Sequence, residues 1–319
     1  MIEVSNLTRR YGRHTAVDKA SFKIEQGEIV GFLGPNGAGK STTMNILTGY
    51  LSATEGIVKI DGQDILEHPK EIKKKIGYLP ENPPLYPDMT VSEYLSFAGE
   101  IKKIPPGVKK ERMNRIMETV GIQDVSKRLI KNLSRGYKQR VGLAQAMIGD
   151  PKILILDEPT AGLDPKQILE IRDLIIELGK EHTVFLSSHI LPEVSAVCRR
   201  VLIINSGRLV ADDSPENLAR RILGGNRILL RMDASEAAVS RALGGISPIT
   251  KLEFRESPEL GTVEIIAEAE KETDIRRDLS RALAAAGIPI LMMRSLDLSL
   301  EDIFLNLTTK EDELPAVGR

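Results

Sequence analysis

Residues 28–41 read Glu28-Ile29-Val30-Gly31-Phe32-Leu33-Gly34-Pro35-Asn36-Gly37-Ala38-Gly39-Lys40-Ser41, an apolar run that breaks into a glycine-rich loop. The run is continuous enough to be a strand buried on both faces. The loop matches GxxxxGK[ST] in full, and Thr43, Met44, Ile46 and Leu47 then carry a helical stretch. Strand, glycine loop and helix in that order are the context in which such a loop cradles phosphate. Glycine lets backbone N–H groups converge on phosphate oxygens where any Cβ would obstruct. The helix adds its positive end, Lys40 supplies a point charge to the β- and γ-phosphates, and Ser41 offers a hydroxyl to Mg²⁺. Gly34, Pro35, Asn36, Gly37, Ala38, Gly39, Lys40, Ser41 and Thr42 are therefore the expected phosphate contacts. The plain alternative is a glycine-rich turn that only starts a helix.

A second apolar run, Ile153-Leu154-Ile155-Leu156, ends in Asp157-Glu158. A buried strand that delivers acids at its C-terminal end puts them where ligands bind in open α/β sheets. Asp157 is placed to hold Mg²⁺, directly or through water, and Glu158 to polarise an attacking water as general base. Acids often do no more than terminate strands. After a phosphate loop the pair points to nucleotide hydrolysis.

The chain has 319 residues, which favours two domains at about 100–200 residues each. Hydrophobic residues at 41% and charged residues at 28% are the balance of an ordinary soluble globular protein. Formal net charge is −1, so no global field favours nucleic acid or an anionic membrane. Lys73-Lys74-Lys75 and Lys109-Lys110 stand among acids and read as solvated helix faces. Cys198 is the only cysteine, which excludes an intramolecular disulfide and suits a reducing cytoplasm. It reads as packing rather than chemistry. The N-terminus lacks the basic-then-apolar pattern of a signal peptide. No apolar run approaches the ~18 residues that span a bilayer, so any membrane part is expected from another chain.

Along the chain, Ile2-Glu3-Val4 and Ala20-Ser21-Phe22-Lys23-Ile24 read as short strands before the glycine loop. Residues from about 83 to 150 read mostly as helix, over Val91 to Ile101, Lys109 to Val120 and Tyr137 to Met147. The buried strand at 153–156, a helix through Ile168 to Leu178 and the strand Thr183-Val184-Phe185-Leu186 restore the alternation of a mostly parallel sheet. The helical stretch is an insertion into that α/β fold. Beyond Gly224-Gly225 the order becomes βαββαβ, expected as a small α+β ferredoxin-like domain. The expected divisions are 1–222, with the helical part at about 83–150, then 226–309, then a polar tail at 310–319.

Leu133-Ser134-Arg135-Gly136-Tyr137-Lys138-Gln139-Arg140 opens a helix with a serine at the N-cap and a glycine in the first turn. A bare helix N-terminus beside a small residue is also an anion site. This stretch resembles the LSGGQ signature of ABC-type ATPases, and the span from about Met1 to Asp213 resembles an ABC nucleotide-binding domain. The resemblance implies further roles. Tyr11 stacks on adenine, Ala161-Gly162-Leu163-Asp164 crosses a dimer interface, and His189, after Ser188, contacts the γ-phosphate. Ser134 and Gly136 complete the ATP site of a partner subunit packed head to tail, giving a homodimer or a pairing with a similar ATPase. Two positions depart from the pattern. Glu81 stands where glutamine is usual; its oxygens can still meet Mg²⁺ or water, but an ionised carboxylate cannot donate. Arg135 replaces a commoner glycine, with a side chain free to point outward.

The phrase Ile76-Gly77-Tyr78-Leu79-Pro80-Glu81 and the ending Ser299-Leu300-Glu301-Asp302-Ile303-Phe304-Leu305 resemble the ATPases of ABC-2-type exporters, with the gliding-motility, drug and sodium systems as examples. The implied protein is an ATPase using ATP and Mg²⁺ at the cytoplasmic face of the membrane. An integral-membrane permease would dock near Pro83, Pro84 and Pro87. A soluble ABC ATPase acting on a macromolecular complex is the alternative. A DNA-repair type would need a long coiled coil, and no heptad run of that length exists.

Overall fold

The computed structural model describes residues 1–215, 217–218, 227–244, 249–269 and 273–295. The ending at 299–305 and the tail at 310–319 lie outside the described residues. The chain divides into two compact units, Met1–Pro215 and Glu216–Leu307.

The first unit holds two sheets. Strands β1 (Ile2–Tyr11), β2 (His14–Ile24), β4 (Glu55–Ile60) and β5 (Gln63–Asp64) form an antiparallel sheet in the order β2-β1-β4-β5. Strands β3 (Ile29–Leu33), β6 (Ile76–Leu79), β7 (Ile153–Leu156), β8 (Thr183–Ser188), β9 (Arg200–Asn205) and β10 (Arg208–Asp213) form the second, ordered β10-β9-β3-β8-β7-β6. It is parallel from β9 to β6, with β10 antiparallel at one edge. β3 and β8 lie side by side in its middle, which is why both read as unbroken apolar runs. Helix α1 (Lys40–Leu47) and the inner faces of both sheets share one core, in which Phe22, Phe32 and Phe185 meet with ring centroids 5.3–6.1 Å apart.

β1 and β2 are much longer than the short runs read from the sequence. They meet across Gly12, whose φ is 59°, and their register shifts between Val4 and Leu7 and again beyond. Such bulges interrupt the two-residue alternation, so polar positions mask a continuous strand.

After α2 (Pro69–Lys75) and β6 come the helices α3 (Val91–Ile101), α4 (Pro106–Thr119) and α5 (Arg135–Met147). Thr90 and Glu93 form a reciprocal capping box on α3. α4 begins three residues before the periodicity does, because Pro106 at the first position is preorganised for the helix. Helices α6 (Pro165–Leu178) and α7 (Leu191–Ser195) complete the unit.

The second unit runs β11 (Arg227–Met232), α8 (Glu236–Leu243), β12 (Ile249–Arg255), β13 (Val263–Ala269), α9 (Arg276–Ala285) and β14 (Ile290–Ser295). Its sheet is wholly antiparallel in the order β12-β13-β11-β14, the ferredoxin-like arrangement expected of βαββαβ. Val239, Leu243, Leu279 and Leu283 of the helices pack on Ile228, Leu230, Val263 and Ile265 of one sheet face. On the strands, Arg231 pairs with Glu264 and Glu259.

Gly31 on β3 lets α7 approach the sheet: a Cβ there would stand 2.0 Å from Val194 Cγ1 and 3.3 Å from Cys198 Sγ. Burial pushes the Cys198 thiol up, so it acts as a packing group. Gly31→Ala should destabilise the first unit by about 1–3 kcal/mol through overpacking, read as a lower urea midpoint.

Candidate functional site

The carboxyl ends of three neighbouring parallel strands assemble the site. Leu33 of β3 pairs with Ser188 of β8, and Leu186 of β8 pairs with Leu156 of β7. The glycine loop, Asp157-Glu158 and Ser188-His189 therefore leave the sheet on one edge, where ligands bind in open α/β sheets.

Gly39 is the N-cap of α1 with φ 105°, and a Cβ on it would lie 2.3 Å from the Ala16 carbonyl oxygen. Gly34 is as confined, with the Ile204 carbonyl oxygen 2.4 Å from where its Cβ would stand. A Cβ is not accommodated at either position, so the loop wraps closely. Lys40 is 6% exposed; its Nζ donates to the carbonyl oxygens of Gly34 at 2.7 Å and Pro35 at 3.3 Å. The same nitrogen lies 3.3 Å from Glu158 Oε1.

Glu158 takes a left-handed backbone conformation, φ 47°, rare for a side chain of its length. Its amide donates to Ser187 Oγ at 2.9 Å, and its Oε2 lies 2.9 Å from His189 Nδ1. Glu158 thus joins Lys40 to His189. Asp157 is 3% exposed, its amide donates to the Leu79 carbonyl at 2.8 Å, and its Oδ1 accepts a 2.5 Å hydrogen bond from Ser187 Oγ. Burial, with the Asp157 charge adding to it, pushes the nearby Tyr78 phenol up, so that ring stays neutral. Thr160 Oγ1 donates to Glu193 Oε2 at 2.5 Å, tying the segment after Glu158 to α7.

A cleft of about 380 Å³ opens above these groups. Tyr11, Pro35, Asn36, Gly37, Gly39, Lys40, Ser41, Thr42, Glu81, Glu158 and His189 line it. Tyr11 is 44% exposed, with the Arg9 guanidinium 4.7 Å from its ring centroid. Gly34, Ala38 and Asp157 belong to the same segments but do not line the cleft. Ser41, Glu81 and Asp157 are all oxygen donors, the kind Mg²⁺ takes alongside waters and substrate phosphates.

Ser134, Gly136 and Asp164 also stand off the cleft. Ser134 Oγ accepts the Tyr137 amide at 3.3 Å as the N-cap of α5, and Asp164 caps α6 by accepting the Gln167 amide at 2.9 Å. Gln167 also fills the space beside Gly136, with its Oε1 2.6 Å from a Cβ placed there. Arg135 is exposed and also makes a contact within the chain. Its guanidinium lies across Gly162, where a Cβ would be 2.4 Å from Cζ, so the signature loop and the loop at 161–164 touch within one chain. A larger cavity of about 520 Å³ between Glu81-Pro87 and the start of α5 lacks the phosphate loop, and Glu81 lines both spaces. Sequence reasoning missed Ser187, Thr160 and Glu193. Only Ser187 left a trace, as a hydroxyl at the end of an otherwise apolar strand.

The sequence model of the ABC transporter family matches residues 17–161. The bacitracin transport ATP-binding protein BcrA of Bacillus licheniformis is 35% identical over 96% of this chain and 97% of its own. The linearmycin resistance ATP-binding protein LnrL of Bacillus subtilis is 31% identical over 97% of this chain and 98% of its own. The dimeric post-hydrolysis structure of the ATP-binding cassette MJ0796, bound to ADP and Pi, superposes with a TM-score of 0.61 at 26% identity, over 67% of this chain and 98% of that one. With this phosphate loop, these acids and these relatives, the chain belongs to the ATP-binding subunits of ABC transporters, in the ABC-2-type exporter group, and is an ATPase.

Proposed function

We propose that the chain is the motor of a membrane exporter: two copies close head to tail on ATP, and hydrolysis releases them while a separate permease moves the cargo. The observation that carries this reading is the cleft itself. It gathers the phosphate loop, Glu158 and His189 but no part of Ser134 or Gly136. A capped helix N-terminus that turns no face to its own cleft is suited to complete another subunit's site. The similarity to a cassette solved as a dimer with ADP and Pi supports the same arrangement.

In this mechanism Tyr11 stacks on adenine with one ring face, and the loop amides and Lys40 bind the phosphates. The γ-phosphate gives Lys40 a new partner and so loosens its hold on Glu158. Glu158 then accepts a proton from the attacking water, with His189 on its other oxygen. Bound Mg²⁺, held by Ser41 and Asp157 with Glu81 nearby, would neutralise charge developing on the phosphates. Ser134 and Gly136 of the second copy contact the γ-phosphate from the opposite side, and Asp164 lies in the loop at that interface. Differential binding of ATP and ADP then shifts the population between closed and open pairs.

Among the described residues no helix is long and apolar enough to cross a membrane, so the reading assigns that task to a permease. Its docking place is the entry to the helical part, where Tyr86 is 52% exposed and meets Tyr94 in a tilted contact at 5.9 Å and Phe97 edge-to-face at 5.6 Å between centroids. The chain then sits peripherally on the cytoplasmic face. The named relatives serve bacitracin transport and linearmycin resistance, which supports the transport reading.

Glu158→Gln should bind ATP normally, lose turnover by about 10²–10⁴-fold and elute with ATP at twice the monomer mass in size-exclusion light scattering. Near-normal turnover would remove Glu158 as the base. Copurification from native membranes should bring a multi-span permease, and Tyr86→Glu should lose it; ribosomal proteins or DNA in its place would sink the transport reading.

A further inference from the structure

We propose that Ser187 is the positioning residue of the site, one hydroxyl that aims both Asp157 and Glu158. It is fully buried near the end of β8, and its hydroxyl bonds both acids, donating to one and accepting from the backbone of the other. The Oγ–H donates to Asp157 Oδ1 at 2.5 Å, and Oγ accepts the Glu158 amide at 2.9 Å. The first bond fixes the rotation of a carboxylate that is 3% exposed. The second supports a glutamate held at φ 47°, a conformation a side chain of this size adopts only when its surroundings impose it. Without the acceptor, a buried N–H would be left unsatisfied in the turn where the chain must reverse its twist. The turn carries the Glu158 side chain to Lys40 and His189, so its loss moves the carboxylate away from both.

This rests on Asp157 serving Mg²⁺ and Glu158 serving as base, as proposed above. Two consequences separate a positioning role from ordinary packing. Ser187→Cys keeps the volume but is a weak donor and acceptor, so it should behave like Ser187→Ala. Ser187→Thr keeps the hydroxyl and suits a strand, so it should keep most of the activity. Other buried contacts of β8 would rank these three differently, by volume alone.

The test uses the full chain. ATP turnover is measured for the wild type and the three variants. In a Glu158→Gln background, where nothing is consumed, the Mg²⁺ concentration giving half the ATP-induced rise in melting temperature is measured for the same set. Ser187→Ala and Ser187→Cys should lose about ten- to a hundredfold in kcat while KM stays within about twofold, as expected for a lost hydrogen bond to a charged catalytic group. Their Mg²⁺ midpoint should rise several-fold, and Ser187→Thr should keep most of the activity with a Mg²⁺ midpoint near that of the wild type. Ser187→Ala with wild-type kcat and Mg²⁺ midpoint would overturn the proposal. So would Ser187→Cys active beside an inactive Ser187→Thr. If Ser187→Ala does not fold, the Cys and Thr pair decides. Asp157→Asn and Glu158→Gln, run alongside, separate the two layers: if these leave Mg²⁺ response and turnover intact, the site assignment itself fails; if only the Ser187 variants are silent, the positioning role alone fails.

Discussion

A lysine and a glutamate, each exposed by less than a tenth, face each other across 3.3 Å at the foot of the cleft. Neither charge could stay there alone, because an unpaired ion taken from water costs far more than the fold gains elsewhere. Lys40 is further held by two carbonyl oxygens of its own loop, and Glu158 by His189. The groups proposed to bind phosphate and to accept the proton are thus each other's partners. A γ-phosphate competes for Lys40 with more charge and more acceptor oxygens than a carboxylate has. In the proposed mechanism, binding therefore changes what Glu158 is free to do, which links the first step of the cycle to the chemistry.

That pairing exists because of strand order. β3, β8 and β7 are neighbours in the sheet but far apart in sequence, and only their parallel adjacency brings residues 34–40, 157–158 and 187–189 together. The buried strands supply rigidity, and the polar groups sit where the strands end. Gly31 and Gly39 serve the same end from the backbone side, one admitting α7 against the sheet and the other closing the loop on the Ala16 carbonyl. The signature stretch is placed by a different part of the chain, on α5, where Arg140 pairs with Glu170 at 2.7 Å and Gln167 packs beside Gly136. In the proposed mechanism one chain therefore holds both halves of a site without joining them.

Much of this was legible in the sequence because the deciding features are local. An apolar run followed by glycines, or by two acids, reports a buried strand and what it delivers, and helical periodicity located α3, α5 and α6 closely. The βαββαβ order of the second unit was also readable, since each element carries its own pattern. Three things were not. β1 and β2 hide behind bulges that break alternation. Ser187 matters through partners some thirty residues away, and nothing in its neighbourhood in the chain announces them. Arg135 is exposed, as a free side chain allows, but its contact with Gly162 could not be read because that glycine lies on a distant loop. In each case the missing information is long-range: a register shift, a cross-strand hydrogen bond, a packing contact between segments. Fold class came from pattern, while the aim of individual side chains came only from the assembled structure.

If the cleft is completed by a second copy, turnover per chain depends on how many chains meet. The direct measurement is the ATPase rate of the purified chain over a wide dilution series at saturating Mg²⁺-ATP. The account predicts a specific rate that rises with chain concentration and levels off as light scattering reports dimer. A specific rate constant at every dilution, with only monomer in solution, would contradict it.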